Sequence, residues 1–407
     1  MHALAKHLGR QLENVVVAAR ETAETFAAGD SLGWVYQFWQ TKQKDAVNRS
    51  EVKIGADELP AVTQLFTEPY MVAFLLDNSL GAWWAARRLS EQDLRDVETE
   101  DELRRKAAIP GVPLEYLRFV RSSAPSLPET VAEREPSSLP SPLGRGAGGG
   151  GARPWTPAAG TFDGWPERLA ELKVMDPCCG SGHFLVAALQ MLVPMRMELE
   201  GLTAREAVDA VLRDNLHGLE LDRRCVEIAA FALALTAWRW PGAGGWRPLP
   251  TLNLACSGLG IHAGKADWLR LGEGDPDLEH ALERLYELFK DAPTLESLID
   301  PRRALGQDLL SEKWERVVGV LDAVTKSLPD EDSRELGVTA QGLALSTRLL
   351  ASRYRLVLTN VPFRKLADHD EKLRGFIEAK HPDAKHDIAT AFLERCLAFC
   401  RAEGGVS

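Results

Sequence analysis

Residues 174–184 read Val-Met-Asp-Pro-Cys-Cys-Gly-Ser-Gly-His-Phe, and no other stretch constrains the fold as tightly. The apolar run Leu172 to Met175 suits a buried strand. Asp176 closes it, a Gly-Ser-Gly turn follows at 180–182, and the apolar run Phe184 to Leu192 predicts a helix. Gly180 and Gly182 permit torsions and close ligand approach that a Cβ would block. The start of the helix offers unpaired N–H groups and a partial positive charge. A strand that ends in an acid and turns through glycines into a helix shapes a nucleotide-type crevice in an α/β sheet.

Motif chemistry narrows the ligand. The third glycine of G-x-G-x-x-G is missing, and no Lys follows Gly182 as a phosphate loop requires. An acid ahead of the glycines is wrong for a phosphate and right for a zwitterion such as the amino-acid end of S-adenosylmethionine. The run Asp176 to Phe184 resembles motif I of amino-methylating DNA methyltransferases, D-P-[AC]-[CM]-G-[ST]-G-x-[FL]. The resemblance implies S-adenosylmethionine as cofactor, held by Asp176, Cys178, Gly180, Gly182 and Phe184, in a Rossmann-like α/β sheet.

Other segments fit the same plan. Leu65 to Val72 leads into an apolar helix, Ala73 to Trp84, with Thr67 as N-cap and Pro69 in the first turn. It resembles motif X, F-x-T-P-x-x-[IV]-[VA], with Glu68 placed between the Thr and the Pro. That motif closes over the methionine end of the cofactor, which implies roles for Thr67 and Pro69. Beyond a helix at 204–213, Leu216 to Asp222 reads as a second strand ending in acids and matches motif II. An acid there accepts ribose hydroxyls. Glu220 is the expected partner and Asp222 the alternative, although Asp222 also suits a cap on the helix at 223–237. Leu252 to Ser257 should be a third strand. No acid or amide stands at its end, so the contact to the cofactor's adenine is left unassigned.

Tyr354 to Thr359 reads as a fourth strand and runs into Asn360-Val361-Pro362-Phe363. It resembles the signature [DNS]-P-P-[YFW] of exocyclic-amine methylation. The N6 nitrogen of adenine is a poor nucleophile, because its lone pair is delocalised into the ring. The Asn360 side-chain oxygen and the carbonyl of residue 361 can accept its hydrogens and free that lone pair, without a metal. Phe363 would stack on a base flipped from the duplex. Val361 replaces the family's first proline but keeps the carbonyl. Asp387, in a segment like motif V, is expected to cap a helix and shape the cofactor pocket. Arg364 and Lys365 suit either DNA phosphates or a solvated loop. His381 and His386 receive no role.

Composition bounds the class. A chain of 407 residues holds about two domains, and 45% hydrophobic with 26% charged residues is ordinary for a globular protein. The net charge of −11 gives no overall basic footprint, which counts mildly against DNA binding as the sole role. The six cysteines form no C-x-x-C pair and no zinc spacing. With no signal segment and no membrane span, a reduced, cytoplasmic protein is expected.

The expected organisation has three parts. Residues 1–121 form an N-terminal helical region that carries motif X (65–84). The Pro/Gly/Ser-rich stretch 122–160 is a disordered insertion. Residues 161–407 form the methyltransferase core, with a helical insertion at 276–352. Residues 402–407 resemble the turn into a fifth strand, so the sheet is expected to be incomplete, with its fourth-strand edge exposed.

Leu32 to Gln37, Pro60 to Thr67 and the Asn-Val-Pro-Phe variant together resemble the large adenine-specific methylases of bacterial phage defence, the BREX (PglX-type) and DISARM classes. This implies adenine-N6 methylation of double-stranded DNA with the target base flipped out, alongside other defence-system subunits. The alternatives are glutamine N5 methylation of a protein, which uses the same acceptor logic, and a non-catalytic cofactor-binding scaffold.

Overall fold

A computed structural model describes residues 31–50, 53, 54, 58, 67–121, 153–160, 162, 164–261, 263–302, 331–363 and 365–406. Side chains at 31–39, 42, 331–335, 366 and 401–406 lie outside this description. So do Leu65, Phe66 and Arg364, and residues 303–330 of the expected helical insertion.

The chain forms two compact units, Ala73–Asp163 and the remainder (Met1–Val72 with Gly164–Ser407). The boundary differs from the expected N-terminal region at 1–121. It falls inside the motif X helix, between Val72 and Ala73. Helix α1 spans Ser31–Ser50, and α2 spans Pro69–Leu76. The smaller unit continues with a buried π-turn at Asp77–Gly81, helices α3 (Ala82–Arg88), α4 (Glu91–Asp96) and α5 (Glu100–Ala107), and an antiparallel pair, β1 (Phe119–Arg121) and β2 (Trp155–Pro157). Buried Asp77 accepts the Tyr116 N–H at 2.8 Å, and burial raises its carboxyl to about 6. Strand β2 corrects the expectation that disorder runs to residue 160. Trp155 holds this end in place: its indole N–H donates to the Val97 carbonyl at 2.8 Å, and the Arg121 guanidinium stacks on its ring.

The larger unit is built on a parallel five-stranded sheet. Its strands are β3 (Val174–Asp176), β4 (Leu216–Glu220), β5 (Asn253–Cys256), β6 (Tyr354–Val357) and β7 (Cys400–Val406), in the spatial order β5-β4-β3-β6-β7. Val174 registers against Leu216 on one side and Leu356 on the other. Every residue of β3 and β4 is buried, as expected of strands covered on both faces. Strand β7 corrects the turn expected at residues 402–407. Residues 400–406 already form the strand itself, so β6 is paired on both edges rather than exposed.

Helices cover the sheet: α6 (His183–Glu200), α7 (Ala204–Ala210), α8 (Arg223–Arg239), α9 (Pro276–Phe289), α10 (Glu331–Ala351), α11 (Glu371–Lys380) and α12 (Ile388–Phe399). Gly218 lets α6 close on the sheet, because a Cβ there would stand 2.7 Å from Leu254 and 2.8 Å from Leu185.

The helical insertion is part of the core. Asp275 caps α9 by accepting the N–H groups of Asp277 and Leu278, and Pro276 opens it. Leu278, Leu282, Leu285 and Phe289 then fall on one buried face at helical spacing. They join Met175 and Val357 of the sheet in one hydrophobic cluster. Buried Arg395 of α12 ties the insertion down by donating to the carbonyls of Ser297, Ile299 and Leu350 at 2.8–3.0 Å.

Candidate active site

In sequence order the sheet strands run 3-2-1-4-5 across the sheet, so the winding direction reverses between β3 and β6. Ligands of open α/β sheets bind at such a switch point, beyond the carboxyl ends of the strands. The motif I turn leaves β3 there, and the Asn360 segment leaves β6 beside it.

The turn is held by its own backbone. Cys179 N–H donates to the Leu219 carbonyl at 2.9 Å, and Gly182 N–H donates to the Cys179 carbonyl at 2.8 Å. Gly180 and Gly182 have φ of +52° and +91°, the left-handed region that favours glycine. At Gly182 a Cβ would also meet Ala229 of α8 at 3.0 Å, so this position is doubly restricted.

Three carboxyls are buried around the turn. Asp176 is 1% exposed and accepts the Cys178 N–H at 3.2 Å. Burial raises its carboxyl to about 7, and nearby Glu220 adds to the rise. The Thr359 hydroxyl makes no hydrogen bond of ordinary geometry but lies close enough to pull the other way. Glu220 accepts the Gly180 N–H at 2.8 Å on one oxygen and the Asp222 N–H at 3.1 Å on the other. Burial also pushes it up. The third, Glu296, comes from the insertion, and sequence reasoning missed it. Burial pushes its carboxyl up to about 8, with Glu220 adding to the shift.

Asp222 has a different job. Its oxygens accept the Arg224 N–H at 2.9 Å and the Arg224 guanidinium at 2.7 Å, so it caps α8. Asp387 likewise caps α12, accepting the Ala389 N–H at 2.8 Å, and it bridges to Lys365 just beyond the Asn-Val-Pro-Phe segment. His381 pairs with Glu394 at 2.8 Å, which is a structural contact.

The acceptor segment lies across from the turn. Asn360 Nδ2 donates to Thr67 Oγ1 at 3.1 Å. This corrects the N-cap expected at Thr67. The first bonds of α2 run from Met71 and Val72 N–H to the Glu68 carbonyl, so the Thr67 hydroxyl is left for Asn360. Thr67, Asp176, Cys178, Gly180, Phe184 and Asn360 line one cavity of about 50 Å³, which Cys179, Ser181 and His183 complete. Pro69 is exposed at the start of α2 and does not line it. Val361 packs against the core cluster, Pro362 is buried, and Phe363 is 59% exposed. A larger cavity of about 780 Å³ opens between α9, α11 and α12, away from these residues. Its lining includes Arg284, Asp291, Phe376, Lys380 and Glu394, and none of the expected site residues.

All six cysteines are free, and burial pushes the Cys178 and Cys179 thiols well up. They are poor nucleophiles here. Among the described residues no helix is long and apolar enough to cross a membrane.

The sequence is similar to those of known proteins. Residues 159–241 match the family model described as MmeI, DNA-methyltransferase domain. Across 92% of its length the chain is 26% identical to the adenine-specific methyltransferase PglX of Lacticaseibacillus casei (strain Zhang). It is 25% identical, again over 92% of its length, to the adenine-specific methyltransferase BrxX of Escherichia coli O9:H4 (strain HS). A shorter stretch, 33% of the chain, is 32% identical to PglX of Streptomyces coelicolor. The chain spans 27% and 28% of the lengths of the first two relatives.

Proposed function

We propose that this chain, PglX-like in sequence over 92% of its length, carries the cofactor and acceptor sites of an S-adenosylmethionine-dependent adenine-N6 DNA methyltransferase acting in phage defence. One observation carries the reading. The acid–glycine turn after β3 and Asn360 after β6 line the same cavity at the switch point of the sheet. A cofactor turn and an amine-binding side chain face each other where transfer would require them.

The residues suit the cofactor. Glu220 is buried at the end of β4, where an acid accepts ribose hydroxyls in a Rossmann-like sheet. The glycine turn and Asp176 suit an ammonium-bearing, zwitterionic end. When bound, S-adenosylmethionine supplies an electrophilic methyl group on sulfur.

The chain's own residues do the rest. Asn360 gives its amide N–H to Thr67, which leaves its carbonyl oxygen to accept a hydrogen of the adenine amine. The carbonyl of Val361 accepts the other. These contacts hold the nitrogen with its lone pair directed at the methyl group. The exposed ring of Phe363 stacks on the flipped base. The core contacts of Val361 supply the rigidity that a proline gives elsewhere. The free cysteines suit a reducing cytoplasm. Kinship with proteins named adenine-specific methyltransferases favours adenine over a glutamine amide.

The test is to incubate the protein with S-adenosylmethionine and unmethylated duplex DNA, digest the DNA, and separate the nucleosides by mass spectrometry. N6-methyladenine is expected. Methyl groups on protein glutamine, with none on DNA, would overturn the substrate.

A further inference from the structure

Glu296 is an anomaly that the proposed reaction does not use. It is 5% exposed, and its Oε1 has no hydrogen-bond partner among the described residues. A buried polar atom left unpaired costs free energy and calls for an explanation. Its backbone is also strained, with φ +48° and ψ −139°, a region that is essentially glycine's. Unpaired burial and strain together mark a residue held in place for something other than stability.

Its surroundings say what. The next residue, Ser297, donates its hydroxyl to the Pro177 carbonyl in the motif I turn at 2.7 Å and contacts the Ser257 hydroxyl past β5 at 3.3 Å. Arg395 holds the Ser297 carbonyl at 3.0 Å. Glu296 is therefore pinned above the carboxyl ends of β3 and β5, on the side of β3 away from Asn360. Its titratable neighbours are the Glu220 carboxyl at the end of β4 and the neutral Cys178 thiol. Strand β5 ends at Cys256 with Ser257 just beyond it, and neither an acid nor an amide stands at that carboxyl end.

We propose that Glu296, delivered by the helical insertion, binds the adenine ring of the cofactor. This rests on the S-adenosylmethionine reading above. Burial keeps the carboxyl protonated at neutral pH. A neutral carboxyl carries an O–H donor beside a C=O acceptor, which complements the adenine edge: the O–H donates to N1 and the C=O accepts from the N6 amine. Neutrality also lets it stand beside Glu220, which is left for the ribose. The strain at Glu296 is then the cost of placing this group where β5 lacks one.

The test uses calorimetric binding of S-adenosylhomocysteine to the full chain, with melting temperatures as a fold control. Glu296→Gln keeps a donor and an acceptor and should bind within about threefold of wild type, whereas Glu296→Ala should raise Kd about 10- to 100-fold. Glu296→Gly relieves the positive φ, so it should melt higher than wild type yet bind as weakly as the alanine variant. A purely structural role would tie affinity to melting temperature. If wild type binds and all three variants bind equally well, the inference is wrong while the cofactor reading stands. If wild type itself fails to bind S-adenosylhomocysteine, the cofactor reading falls, and this inference with it.

Discussion

The Asn360 side-chain amide donates to the Thr67 hydroxyl at 3.1 Å, joining residues 293 positions apart across the candidate site. With its amide N–H given to Thr67, Asn360 keeps its carbonyl oxygen for the cavity that both residues line. Thr67 thus positions Asn360 rather than capping its own helix. Thr67→Val removes the hydroxyl while keeping the shape. Single-turnover methyl transfer should slow about 5- to 10-fold, the value of roughly 1 kcal/mol for one neutral hydrogen bond. Thr67→Ser should restore the rate. Equal rates for all three proteins would remove the positioning role.

Burial of Asp176 makes a signed prediction about pH. Its carboxyl titrates near 7 in the folded chain and near 3.8 unfolded. The folded state therefore holds the proton more tightly between these values. This stability is fully present below about pH 3.8 and is lost as pH rises through about 7. Asp176→Asn keeps the oxygen that accepts the Cys178 N–H and cannot ionise. At pH 8 it should be more stable than wild type by on the order of 2–4 kcal/mol, with the advantage shrinking toward pH 4. Urea unfolding of both proteins at pH 4.5, 6 and 8 measures this. An advantage that grew toward low pH would show that Asp176 is ionised in the fold.

The two acids after β4 should separate in experiment. Glu220 holds the turn through Gly180, whereas Asp222 is committed to capping α8 and pairing with Arg224. Asp222→Ala should cost about 1 kcal/mol of stability, as lost caps do, with little effect on binding of S-adenosylhomocysteine. Glu220→Gln should weaken that binding at least about tenfold, since a ribose would lose one of the two carboxyl oxygens that accept its hydroxyls. Thermal melts and calorimetry on both variants distinguish the roles. The reverse pattern would make Asp222 the ribose partner.

How legible the site was in the sequence depended on how local each contact is. The β3 turn could be read because the apolar run, Asp176, Gly180 and Gly182 are consecutive and their conformations are dictated locally. Glu220 and Asn360 could be read because each ends a short apolar strand. Glu296 could not, because Ser297 meets Pro177 across 120 positions and nothing in the Glu-Ser-Leu stretch signals that fold-back. The cap expected at Thr67 failed for a similar reason, since a distant amide took its hydroxyl. Strand β2 was hidden because Pro and Gly dominate 122–160, while pairing with β1 and the Trp155 indole hold its end. Strand β7 reads as a polar turn in sequence, but its backbone pairs with β6 whatever its side chains are.

The most direct measurement compares wild type with Asn360→Ala for transfer of label from S-adenosylmethionine to adenine in duplex DNA, at cofactor levels that saturate both. Asn360 is proposed to act on the amine and not on the cofactor. The account therefore predicts equal binding of S-adenosylhomocysteine and a transfer rate lower by at least about 100-fold in the variant, the scale seen when a charge-orienting group is removed. Transfer by Asn360→Ala within about threefold of wild type would contradict it.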